Sequence, residues 1–366
     1  MATTAIDSTR VERPRDVRTL LARCMKVGRP AMIWGPPGIG KSELIAEIGV
    51  ETNRPVIDMR LLLLEPTDIK GIPYFDPETK TMKWAQPADL PTETFLSNAI
   101  LFLDEINAAA PSVQAAAYQL ILNRRVGEYH LPAGVSMVCA GNRDSDKGVT
   151  YRMPSPLANR LVHIEMGCNF EDWQKWAINN RVHADVVGFL SHHKQKLFTF
   201  DSKSPDKAFA TPRSWFFVSQ LVSDDLAESM NTSLVAGSVG GGLATEFAQH
   251  RKVASKMPKS EDVLLGKEKV LNVKDLSAMY SLTISMCYTL QEWSVKAKAK
   301  EDGFDLVQWH ECVDHFFKFM MDNFQTEMIV LGAKTALRDY ALPINHRSLK
   351  EFGAFHSKYG KYILED

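Results

Sequence analysis

Gly35-Pro36-Pro37-Gly38-Ile39-Gly40-Lys41-Ser42 fits the pattern G-x-x-x-x-G-K-[ST] at every fixed position. It follows the apolar run Ala31 to Trp34 and opens a helical stretch from Lys41, the setting in which this pattern cradles phosphate. Glycines let the backbone curl until successive N–H groups point inward at a polyphosphate, and the helix behind them adds its positive end. Lys41 then supplies a point charge to the β- and γ-phosphates of a nucleotide, and the Ser42 hydroxyl is placed to ligate Mg²⁺. The loop thus reads as a site for a nucleotide polyphosphate with Mg²⁺.

A second chemical signal closes the apolar run Ala99 to Leu103, which ends in Asp104-Glu105. Adjacent carboxylates at the end of a buried strand are costly unless a cation meets them. Beside a phosphate loop, Asp104 reads as a Mg²⁺ ligand and Glu105 as the residue that polarises an attacking water. The next strand ends in Gly141-Asn142, placing Asn142 to hydrogen-bond a γ-phosphate or that water. Arg160 ends a short helical run before the last strand and is a candidate to enter a neighbour's site, with Arg152 as its rival. Thr211-Pro212-Arg213-Ser214 opens a helix with Thr211 as N-cap and Pro212 at N1. Arg213 in that first turn is opposed by the helix dipole, which points to an anionic partner such as a nucleotide phosphate.

These residues must be held by a parallel sheet. Short apolar runs at Ala31–Trp34, Val56–Met59, Ile100–Leu103, Ser136–Ala140 and Leu161–Glu165 alternate with helical stretches such as Lys41–Gly49 and Ser112–Asn123. That alternation predicts an α/β fold with helices on both faces, whose ligands lie at the carboxyl ends of the strands. After Gly167 the chain reads as helical: 171–180, 185–193, 214–222, 243–250, 276–293, 306–324 and 337–340. The division expected is a nucleotide-binding core over 1–168, a helical lid over 169–250, and a helical extension or lid continuation over 251–366. The glycine-rich 237–242 and the polar 251–269 read as loop and connection.

Composition narrows the function classes. Across 366 residues, Lys plus Arg is 43 and Asp plus Glu is 44, a net charge of −1. This excludes a globally basic nucleic-acid binder, though not a local patch. No apolar run reaches the ~18 residues of a membrane span, and Met1 to Pro14 lacks a leader's apolar core. Five widely spaced cysteines without a CxxC pair read as reduced thiols of a cytoplasmic protein. His192-His193 reads as a helix-end feature without metal-ligand spacing, and Lys296, Lys298 and Lys300 as a solvated helix end.

In order and type these motifs resemble the AAA+ ATPases: Walker A at Gly35–Ser42, Walker B at Asp104-Glu105, sensor 1 at Asn142, arginine finger at Arg160 and sensor 2 at Arg213. Phe102-Leu103-Asp104-Glu105-Ile106-Asn107, Val113-Gln114 before an Ala-rich helix, and Leu64 to Gly71 resemble the MoxR branch in particular. The resemblance covers residues 14 to 250. It implies a P-loop NTPase sheet in strand order 5-1-4-3-2 under a helical lid, and a homo-oligomeric ring, a hexamer, with ATP at each junction. It also implies chaperone-like remodelling of a client protein, with a separate von Willebrand factor A domain partner.

The branch inserts a β-hairpin after the second strand, matched by Gly71 to Trp84, and a second hairpin before sensor 1 falls at Arg125 to Ser136. Tyr74, Phe75 and Trp84 either grip a polypeptide in a pore or pack the hairpin on its own domain. Ala108 departs from the Arg common at that position. Two other readings stand beside remodelling: a nucleic-acid motor or loader, disfavoured by the charge balance, and a nucleotide-gated scaffold with incidental turnover.

Overall fold

The computed structural model describes residues 10–146, 151, 153–344 and 349–364. The chain forms two compact units, one up to Asp172 with Asp201–Ser204, the other Trp173–Phe200 with Pro205 onward.

The first unit is built on a parallel sheet. In chain order its elements are β1 (Val11–Glu12), α1 (Pro14–Lys26), β2 (Ala31–Trp34), α2 (Lys41–Glu51), β3 (Val56–Arg60), α3 (Pro66–Lys70), β4 (Ile72–Asp76), β5 (Thr81–Ala85), β6 (Ile100–Asp104), α4 (Pro111–Asn123), β7 (Arg125–Val126), β8 (Tyr129–His130), β9 (Ser136–Gly141), α5 (Ser155–Ala158) and β10 (Val162–Met166). Six strands pair in the order β1-β10-β2-β9-β6-β3, all parallel. Counted from β2, the five core strands take the expected order 5-1-4-3-2. Every residue of β6 and β9 is buried, which is why these runs are apolar throughout rather than alternating.

The edge strand β1 falls in the N-terminal segment, where no strand is expected from the sequence. Its two side chains carry no apolar pattern; what holds it is backbone pairing of Val11 with Glu165 and Glu12 with Met166. The Gly167 N–H also donates to the Glu12 carbonyl at 2.9 Å.

Two hairpins leave the sheet. β4 and β5 pair antiparallel, Ile72 opposite Ala85 through Asp76 opposite Thr81, at the expected insertion. The second hairpin is shorter than its expected span: only β7 and β8 pair, and 131–135 is unpaired chain leading into β9.

The second unit is helical: α6 (Phe170–Asn179), which spans the unit boundary, α7 (Ala184–His192), α8 (Pro212–Leu221), α9 (Glu228–Val239), α10 (Gly241–Ala254), α11 (Ser260–Leu264), α12 (Leu276–Ala299), α13 (Leu306–Asn323), α14 (Thr326–Lys334), α15 (Lys350–Tyr359) and α16 (Lys361–Leu364). Trp215, Phe189 and Phe247 are fully buried in one aromatic cluster, and Phe316, Phe317 and Phe355 in another. Expectation and structure differ in three places here. The stretch 237–242 is the end of α9 and the start of α10, broken only at Gly240. Residues 337–339 fall in a π-helical turn, Thr335–Asp339, that continues α14, with Tyr340 as its cap. Helices α9, α11, α14, α15 and α16 were not foreseen, α11 lying within the stretch expected as a connection; α9 buries only Asn231, Val235 and Val239, too sparse a stripe to read as periodic. The histidine pair sits at the end of α7 with rings 4.8 Å apart, and Lys296 in the last turn of α12 pairs with Glu292 at 3.0 Å.

Candidate functional site

The strand order explains how the site assembles. β9 lies between β2 and β6, so the segment leaving β9 emerges between the phosphate loop and the Asp104 strand end. Residues from three loops converge there. The phosphate loop leaves β2 and curls into α2 through Gly40, the helix N-cap, at φ 95°, a left-handed conformation that favours glycine. Lys41 Nζ donates to the Gly35 and Pro36 carbonyls at 2.6 and 3.0 Å, and to Asn142 Oδ1 at 3.0 Å. Ser42 Oγ donates to Asp104 Oδ2 at 2.9 Å. The motif residues thus touch one another across as many as 101 positions of sequence.

Asp104 is buried, with its second oxygen accepting the Glu105 N–H at 2.9 Å. Glu105 itself has φ 55°. A non-glycine residue in this region costs about 1–2 kcal/mol, and such residues gather where a side chain must be aimed against the run of the backbone. Here the strand ends and the chain turns sharply, setting the half-buried Glu105 beside the Ser42–Asp104 pair. On the neighbouring strand, Asp58 pairs in register with Phe102. Burial, and then the charge of Asp104, push its carboxyl above the ordinary range, while Arg60 opposes. The carboxylate side of the site therefore carries negative charge that a cation would relieve.

Asn107 is a functional residue whose role sequence reading missed. It is 2% exposed, and its Nδ2 donates to the Asn142 carbonyl at 2.7 Å, so it fixes the backbone that carries the Asn142 side chain. Its Oδ1 is buried without a hydrogen-bond partner. A side chain at Gly141 would run into that oxygen, so the close approach requires glycine there. The only signal was the position of Asn107 in the run after Asp104. Buried Gln114 likewise holds the loop before α4, donating to the Ala109 carbonyl at 2.9 Å.

Arg160 follows α5, exposed, and makes no ion pair among the described residues. Its rival Arg152 lies outside the described residues. Arg213 lies in the second unit, exposed in the first turn of α8. Thr211 caps that helix as expected, in a reciprocal box with Ser214 of 3.1 and 2.8 Å. Of the hairpin aromatics, Trp84 lies under Lys70, whose Nζ is 4.0 Å from the ring centroid, and so packs on its own unit. Tyr74 and Phe75 are exposed at 47% and 59%.

Residues 30–149 match the family described as the AAA domain, dynein-related subfamily. Midasin of Giardia intestinalis is 27% identical over 183 residues, covering 47% of this chain and 4% of midasin, so the chain spans a small fraction of that relative. Among solved structures, a Cytophaga hutchinsonii protein provisionally assigned as an ATPase aligns over 88% of this chain and 79% of its own, at 12% identity and TM-score 0.33. A RuvB variant from Thermotoga maritima aligns over 69% and 81%, at 16% identity and TM-score 0.37. The segment from β2 through Asn142 lies within the residues that match the AAA domain. No helix among the described residues is long and apolar enough to cross a membrane.

Proposed function

We propose that the chain is a Mg²⁺-dependent ATP hydrolase of MoxR type, working as a homo-oligomeric ring, a hexamer, that remodels a client protein. The observation that carries the reading is the Ser42 hydroxyl and Asp104 carboxylate meeting at 2.9 Å at the mouth of the phosphate loop, with Glu105 next in chain. A hydroxyl and a carboxylate converging from two loops are a donor set suited to a hard cation that keeps several waters. Ser42 and Asp104 would hold Mg²⁺, which when bound neutralises charge on the β- and γ-oxygens.

Lys41, now tethered to two carbonyls and Asn142, exchanges these for phosphate oxygens. Glu105 orients a water for attack on the γ-phosphorus and takes its proton as the bond to the ADP oxygen breaks. Asn142, fixed by Asn107, hydrogen-bonds the γ-phosphate or that water. Arg160 completes the site of the adjoining subunit, and Arg213 serves its own subunit's nucleotide from the helical lid. The lid comprises 169–250, with 251–366 as its continuation. A separate von Willebrand factor A domain protein is the proposed partner, and a reducing cytoplasmic setting accords with five free cysteines.

Substituting Glu105→Gln tests the assignment. Turnover falls by about 10²–10³-fold while ATP still binds. Undiminished hydrolysis by this variant would refute it.

A further inference from the structure

Trp34 is the last residue before the phosphate loop, and its indole Nε1–H donates to His163 Nδ1 at 2.9 Å. The other imidazole nitrogen, Nε2, is 2.8 Å from the Ala158 carbonyl, the last residue of α5. An indole can only donate and a carbonyl can only accept, so one arrangement satisfies both contacts: neutral imidazole with its proton on Nε2. His163 therefore joins the start of the phosphate loop to the turn that carries Arg160. That turn is tight: the Arg160 N–H donates to the Leu157 carbonyl at 2.9 Å, and Leu161 N–H to the same Ala158 carbonyl at 3.3 Å. Leu157 and Leu161 are buried and anchor the turn from its apolar side. Arg160, exposed and outside any ion pair among the described residues, has its guanidinium placed by this backbone rather than by a side-chain partner.

We infer that Trp34 and His163 are positioning residues that link the phosphate loop of a subunit to the placement of its own Arg160. This rests on the reading of Arg160 as the residue offered to the adjoining site. A subunit's occupancy would then bias how well it serves its neighbour, through two hydrogen bonds and one turn. Such a link needs no large movement, because hydrogen bonds weaken steeply as their angle and length change.

Three substitutions separate the link from simple packing. Trp34→Phe removes the donor and keeps most of the ring volume. His163→Asn leaves an acceptor near the Nδ1 position and cannot reach Ala158; His163→Gln leaves a donor near the Nε2 position and loses the Trp34 bond. All are measured as full-length assembled protein, with thermal melting as the check on folding and active sites counted by nucleotide binding. Each is expected to lower kcat about tenfold, the loss of one well-made hydrogen bond, with KM and nucleotide Kd moved less than about twofold. None should lower kcat further in an Arg160→Ala background.

Unchanged kcat, a KM rising in step with the fall in kcat, or multiplicative effects with Arg160→Ala would each overturn the link. So would normal turnover in Arg160→Ala itself. That last result leaves the ATPase reading standing as long as Glu105→Gln abolishes turnover, so the two failures are distinguishable.

Discussion

The two halves of the candidate site differ in how finished they are. Lys41 already bonds Asn142 and Ser42 already bonds Asp104, all within one unit. Arg160 and Arg213 are exposed, each mounted on a well-defined local frame, with the guanidinium left to solvent. The difference separates binding from turnover. On the proposed reading, a preassembled phosphate loop and carboxylate pair takes a nucleotide alone, whereas Arg160 and Arg213 await the groups they would serve. The hairpin β4–β5 repeats the pattern: Asp76 at its turn is buried and paired, while Phe75 and Met82, opposite each other in register, face solvent.

The comparison breaks most sharply at Arg160. Arg160→Ala should reduce turnover of the assembled ring by about 10³-fold or more, with ATP affinity of each subunit unchanged. Equal loss of affinity, measured by equilibrium binding, would place Arg160 among the assembled groups instead. Within those groups, Asn107→Ala frees the Asn142 backbone. It should lower kcat about tenfold and cost about 1 kcal/mol in chemical denaturation, since it leaves a half-buried carbonyl unpaired.

A smaller effect sits at the hairpin turn. The Lys83 ammonium, with the Thr79 hydroxyl and the Glu78 N–H, holds the Asp76 carboxyl down to about 2. A depressed carboxylate stabilises the fold fully above the ordinary range near 4 and loses that contribution progressively as the pH falls from there through about 2. Hairpin amides should therefore keep their full protection at pH 5 and lose part of it progressively between about pH 4 and 2 in hydrogen exchange. Asp76→Asn should speed their exchange a few-fold at neutral pH.

The legible parts of the molecule are those where chemistry restricts residue type. The phosphate loop could be read because only Gly, Lys and Ser at fixed spacing perform its task, and Asn142 because the strand order brings its strand end between the two others. The Thr211 cap could be read because the capping hydroxyl precedes Pro212 directly. What escaped has no local pattern. β1 is held by backbone pairing that its side chains do not announce. Trp34 and His163 meet across 129 residues, which no periodicity can show. The paired role of Asn107 and Gly141 depends on an approach of two loops. The left-handed Glu105 is invisible in a sequence because nothing in its type asks for that conformation.

That Glu105 conformation sets durability against activity. Glycine at 105 would sit in the same backbone without steric cost and would also add freedom to the unfolded chain, so the relief is a fraction of 1 kcal/mol. Glu105→Gly should melt about 1 °C higher by calorimetry while hydrolysing no ATP. On the proposed reading, selection for heat resistance alone would therefore favour the variant that has lost turnover.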